Sequence, residues 1–357
     1  MTRRARLALQ VLGCAVAVGV VARLVTHADA ASTWRAVSST GPLVLTALVP
    51  FALGMTCDAW GMVILLRALG HRTSLRQMLP VRFASEALHI TLPAGFVASD
   101  GATAVLLEKR CDVPVRDGVV GSIARKWLVM RSHAAYIAVG AIAGFASLVT
   151  VAHALHASAL PWMVLASAAV PLVLSAAVGA GLLGRSTFSR LHAVLARIPS
   201  GRLRRWLDGR KHAAVATDGQ AARLRGAHVA TWKATLAFLG CWCFEALESA
   251  LLLHLVGVPV DLAAVFAFEG GLSMVRSVIV LAPSGLGVVD LGYATVLQVL
   301  GAEPGAVAAF VLLRRAKEVV WVVAGYALLT AMRRRAPDAP TSSKELEPAP
   351  LGNAEFV

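Results

Sequence analysis

The chain has 357 residues, 57% apolar and 15% charged, with a net charge of +14 and a mean hydropathy of +0.70. This balance excludes a soluble globular domain and predicts an all-α, polytopic membrane protein. The positive charge does not point to nucleic acid, because the basic residues gather in alternate connecting segments, as they do when charge orients a membrane protein.

A hydrocarbon core of roughly 30 Å takes about 20 apolar residues to cross. Runs of that kind fall at 7–25, 43–66, 118–150, 160–183, 229–256 and 306–330. They predict about six transmembrane helices in a membrane domain over 1–332, followed by a disordered cytoplasmic tail over 333–357. Arg3, Arg4 and Arg6 place the N-terminus inside. Ala28-Asp29-Ala30 also fits a leader-cleavage site, so a retained first helix and a cleaved leader are both open. The first run is longer than a usual leader core, which favours retention.

Thr26 to Pro42 carries only Asp29 and Arg35 and is expected outside, whereas Arg67, Arg72, Arg76 and Arg82 mark the next connection as inside. The 184–228 segment holds ten Arg or Lys against two Asp, so it is expected to be a cytoplasmic loop. Its Arg205-Trp206-Leu207 region is expected to lie on anionic phospholipid headgroups. Arg333 to Arg335 place the C-terminus inside.

Two apolar stretches do not fit a simple count of crossings. Residues 83–107 begin and end inside, and residues 262–300 begin and end outside. Each is broken by a similar motif: Pro93-Ala94-Gly95 followed by Asp100 and Arg125, and Pro283-Ser284-Gly285 followed by Asp290 and Arg315. Every position of the first copy recurs in the second at one constant offset. Each stretch predicts a helical hairpin, either re-entrant or made of two short crossings. The hairpins open to opposite sides, so the halves 43–150 and 229–330 read as an inverted repeat. Irregular backbone at membrane depth is tolerated where it is buried in protein or lines a cavity.

Ionisable groups within such spans are costly and mark candidate sites. Asp100 and Asp290 follow the breaks, where a carboxylate caps a helix N-terminus or offers a proton or cation site. The exposed helix ends suit an anion such as phosphate. Arg125, Lys126 and Arg131 enter the third run from the inside, and Arg314, Arg315 and Lys317 lie deep in the last one. These groups would hold phosphate bidentately or pair with acids, and Arg125 and Lys126 could instead snorkel to the interface. Asp58, Glu245, Glu248, Glu269 and Arg276 are further intramembrane charges, with structural pairing as the plainer reading. Gly140 and Gly144 form a GxxxG expected to pack helices. The five cysteines imply no disulfide framework or metal site, and the chain carries no phosphate loop or nucleophile elbow, so no enzyme and no cofactor is expected.

Glu269 through Arg276 to Pro283-Ser284-Gly285-Leu286-Gly287-Val288-Val289-Asp290, then Leu313-Arg314-Arg315 and Trp321, resembles the flippase-like family typified by the transmembrane region of lysylphosphatidylglycerol synthases. Leu92 to Asp100, with Arg125 onward, is similar to that family's other signature. Asp290 stands where the family commonly has Glu, and the first copy lacks a second Gly after Gly95. The resemblance implies transfer of a lipid between leaflets of a bacterial inner membrane. The stand-alone shape is similar to the hopanoid-associated members, which adds a hopanoid or other isoprenoid lipid to charged-headgroup lipids as candidate substrates. It also implies that both motif segments, Gly287 included, bind the substrate. The aminoacyl-transferring domain of the full synthases is not found in this sequence, so no lipid synthesis is expected. A proton-coupled transporter of a small anion, and a scaffold that recruits a lipid-modifying enzyme, are the alternatives.

Overall fold

The computed structural model describes residues 19, 29–92, 95–184, 186–195, 211–278 and 287–334. Among them the regular structure is helical and no strand occurs. Asp29 starts α1 (Ala30–Thr40) by accepting the backbone N–H groups of Ala31 and Ser32 at 3.2 and 3.1 Å. Gly41-Pro42 interrupts the α-helical pattern only into a 3-10 segment, Gly41–Ala47, which runs into α2 (Leu48–Ala68). Much of the connection expected outside is therefore helical, because the Asp29 cap and the mild break carry the helix through it.

A capping box at Ser74 and Gln77 starts α3 (Leu75–Thr91). It is followed by α4 (Gly95–Cys111), and the two helices pack together as the first expected hairpin. Beyond Pro114, α5 (Val115–Ala143) meets α6 (Phe145–Ala154) at a 73° bend centred on Gly144. Next, α7 (Leu160–Ser167) and α8 (Ala169–Leu183) share one apolar stretch of 24 residues. Between it and α11 (His228–Leu255) lie α9 (Thr187–Leu195) and α10 (Lys211–Arg225). The second hairpin is α12 (Leu262–Val278) with α13 (Val288–Val299), followed by α14 (Pro304–Arg334).

Among the described residues, three helical stretches are long and apolar enough to cross a membrane, or four if the bent α5–α6 pair is one span. At 31 residues α14 is long enough too, but Arg314, Arg315, Lys317 and Glu318 interrupt its apolar sequence. It can span only if those charges are paired. The first expected helix (7–25), the tail beyond Arg334, Pro93, Pro283, Gly285 and the Arg202–Trp206 cluster lie outside the described residues.

At the centre α2 packs along α11, α3 packs on α14, and α5 packs on α12. Met62, Leu66, Leu107, Leu128 and Phe238 form one buried core, and Leu252, Val265, Tyr293 and Phe310 belong to a second. Val139, Ile142, Leu172, Val173, Leu236 and Val323 instead face outward, as lipid-facing positions do. The GxxxG glycines pack helices: a Cβ on Gly140 would lie 2.8 Å from the Phe266 carbonyl oxygen, and one on Gly144 only 2.4 Å from that of Ala263. Their hydrogens let α5 and α6 approach α12 closely.

The basic segment expected as a loop contains two helices held to the body. Asp218 of α10 accepts the Phe188 and Ser189 N–H groups of α9 at 2.9 and 3.0 Å. Arg223 donates to the Leu69 carbonyl at the end of α2 at 2.7 Å. Arg225 donates to Leu183 and Gly184 at the end of α8 at 3.1 and 3.2 Å. These guanidinium groups satisfy orphan carbonyls at the negative ends of helices, a use of positive charge that counting alone does not reveal.

Candidate functional site

Two groups of interhelical ion pairs lie inside the helical body. In the first, Asp58 of α2 is 2% exposed and accepts from two arginines on different helices. Arg82 of α3 donates through Nε, and Arg125 of α5 reaches it through Nε at 2.8 Å and Nη2 at 2.6 Å. Glu86, one turn beyond Arg82, is 4.0 Å from it. At the next position along α5, Lys126 pairs with Asp100 of α4. Asp100 and Arg125, expected to share a site, thus take different partners. Consecutive residues of a helix point about 100° apart, so Arg125 faces α2 while Lys126 faces α4.

The second group joins α11, α12, α13 and α14. Arg315 grips Asp290 with a full fork: Nη2 lies 2.7 Å from Oδ1 and 2.9 Å from Oδ2, with Nε at 3.1 and 3.2 Å. Its Nη1 donates to Glu318 at 2.6 Å. Asp290 also accepts the Gly287 N–H at 2.9 Å, so it caps α13 and holds an arginine at once. Gly287 sits at φ +84°, a backbone state that glycine adopts without strain. Arg314 donates to Glu269 at 2.8 Å and to Ser249 at 2.6 Å, and lies over the Tyr293 ring at 4.6 Å. Arg276 pairs with Glu245 at 2.6 Å. Lys317 pairs with Glu248 and lies 5.0 Å over the Phe51 ring. Trp321 stacks between Phe51 at 4.9 Å and Phe83 at 5.2 Å, tying α14 to α2 and α3.

Much of this second group is sealed from solvent, although Arg276 and Glu245 stay partly exposed. Asp290 is 0% exposed, Glu248 1%, Glu269 3% and Arg314 4%. Carboxylates occupy the arginine forks that a phosphate would use, which is how buried charge escapes the penalty of standing alone. Arg131 differs. It donates to Thr235 Oγ1 and to the Thr231 carbonyl, and among the described residues no carboxylate pairs with it.

Of the expected site residues, Glu269, Arg276, Asp290, Arg314 and Arg315 come together with Gly287, while Asp100 and Arg125 belong to the first group. Gly95 begins α4. Sequence reasoning missed Arg82, which charge counting assigned to an inside connection although it is 3% exposed. Its nearest signal was the carboxylate of Asp58 within an apolar span. Among the described residues no cluster of His, Cys, Asp and Glu could hold a metal ion. His133 Nε2 lies 2.6 Å from Ser273 Oγ, and the pair is buried against Trp242, whose ring centroid is 4.1 Å from that of the imidazole.

Residues 10–325 match the family described as the lysylphosphatidylglycerol synthase TM region. No curated protein and no solved structure shows a significant match.

Proposed function

The chain belongs to the lysylphosphatidylglycerol synthase TM region family, a lipid-related membrane family, and we propose that it moves a lipid between leaflets of a bacterial inner membrane rather than modifying one. The observation that carries this reading is a set of charges on both hairpins, Arg82, Asp100, Glu269, Arg276 and Asp290, each paired with an adjoining helix. Such pairs can exchange one anion for another without stranding a charge in hydrocarbon. A headgroup phosphate that displaces Asp290 from Arg315 keeps the guanidinium satisfied, and the released carboxylate can retain its Gly287 cap or take up a proton.

The ion pairs also support the inverted repeat. Asp58 and Glu248 are separated by the same interval as Asp100 and Asp290. Asp58 on α2 pairs with Arg125 on α5, and Glu248 on α11 with Lys317 on α14. Asp100 on α4 pairs with Lys126 on α5, and Asp290 on α13 with Arg315 on α14. Interchanging the two halves also carries the α3–α14 contact onto the α12–α5 contact. In this arrangement both termini are cytoplasmic, and the 184–228 region rests on anionic phospholipid through residues not used as helix caps.

Orientation is tested with single introduced cysteines and an impermeant maleimide applied to intact cells. Native Cys111 is buried and reports poorly, so exposed Arg116 replaces it as the inside position. Labelling is expected at 153 and 261 but not at 116. Labelling at 116 from outside would overturn the inside hairpin.

Transport itself is tested in proteoliposomes with fluorescent phosphatidylglycerol and, separately, radiolabelled phosphate. Lipid is expected to cross and phosphate is not. The reverse result would replace lipid translocation with small-anion transport, which could use the same arginines.

A further inference from the structure

Among the described residues, Arg131 of α5 lies outside the ion pairs, at the edge of the helical body. Arg131 projects from α5 toward the start of α11, where the Trp232 ring lies 4.4 Å from its guanidinium carbon and the Trp127 ring 5.5 Å. Two indoles thus flank one planar cation, a geometry that holds it by cation–π attraction and restricts its rotamers. Nε and Nη2 donate to Thr235 and Thr231, which fixes the plane, while Nη1 makes no hydrogen bond within the described residues. Trp127 is anchored in turn: Ser175 of α8 donates to its carbonyl at 3.0 Å. Trp232 is 60% exposed and neighbours the outward-facing Leu236 and Val229, so the site opens sideways toward lipid.

Depth fits a headgroup. Thr231 and Thr235 lie within the first two turns of α11, about 5–10 Å from its end at 1.5 Å per residue. That is the boundary between headgroups and hydrocarbon. A guanidinium there with no carboxylate partner needs an anion, and the anion present at that depth is a phospholipid phosphate.

We propose that Arg131, clamped by Trp127 and Trp232, is a lateral docking site for the phosphate of an inner-leaflet phospholipid. It lies outside both paired-charge groups and loads lipid before transfer. The inner-leaflet assignment rests on the orientation proposed above, whereas the lipid contact does not.

The test is retention of phosphatidylglycerol by the full chain in nanodiscs made mostly of uncharged galactolipid, read by native mass spectrometry after release. Wild type is expected to retain phosphatidylglycerol, with retention falling about tenfold in Arg131→Gln and about threefold in Trp232→Leu. Trp232 faces outward, so its variant tests the clamp even if Arg131→Gln folds poorly. Millimolar inorganic phosphate is expected not to displace the lipid; full displacement would reassign the site to a soluble anion. Wild-type retention in Trp232→Leu, or in a folded Arg131→Gln, would overturn the proposal. No flux enters this assay, so a protein that binds lipid here yet transports none would refute translocation and leave the docking site standing.

Discussion

Replacing Asp58 with alanine is expected to destabilise the protein by about 3–5 kcal/mol, the usual loss when one partner of a buried ion pair is removed. Two guanidinium groups depend on this carboxylate. Arg82 would keep only Glu86, at 4.0 Å, and Arg125 would keep no carboxylate among the described residues. Arg125 would then stand as bare charge, and Arg82 as a weakly paired one, beside a core of Met62, Leu66 and Phe238. Fluorescence-detected size exclusion after heating should show the melting point lowered by about 6 °C or more. Asp58→Asn keeps hydrogen-bond acceptance without the charge and should fall between the two. Melting unchanged in Asp58→Ala would mean that the three-helix ion pair does not form.

The second large effect is non-additivity between Asp290 and Arg315. Asp290→Asn can still accept the Gly287 N–H, so the start of α13 should survive. Arg315, however, would lose its forked partner and retain only Glu318, at a cost of about 3 kcal/mol. Arg315→Gln alone should cost a similar amount by stranding the carboxylate. The double variant removes both buried charges together and should melt closer to wild type than either single variant. Melting losses that simply add would show that the two residues do not interact. A capping role alone predicts a mild Asp290→Asn variant and no coupling.

Much of this architecture is legible in the chain because its signals are local. A Pro-x-Gly break inside an apolar run, followed by a carboxylate, marks a helix restart, and Asp290 does cap α13 beside Gly287. Its pairing with Arg315 was within reach because the two residues hold fixed places in a repeated motif. The Asp58 node was not legible, since it depends on how α2, α3 and α5 are rotated against one another. One position decides there whether a base faces α2 or α4, and sequence spacing alone did not separate Arg125 from Lys126. Arg82 was hidden for a related reason: four arginines around one connection read as interface charges, and burial alone sets one apart. In the 184–228 segment the basic residues marked only an inside loop, while Arg223 and Arg225 of α10 close the ends of α2 and α8. A helix cap built by a residue distant in sequence leaves no local pattern.

The central claim is that the paired charges of the hairpins carry lipid across the membrane, and it is tested by flux in a protein whose fold is intact. Wild type and the Asp290→Asn, Arg315→Gln double variant would be reconstituted in vesicles with fluorescent phosphatidylglycerol, and inner-leaflet label followed by its bleaching from outside. Wild type should expose inner-leaflet label, whereas the double variant, melting near wild type, should leave it as protected as protein-free vesicles do. Wild-type vesicles that protect the label as well as empty ones, or equal flux through the double variant, would contradict the account.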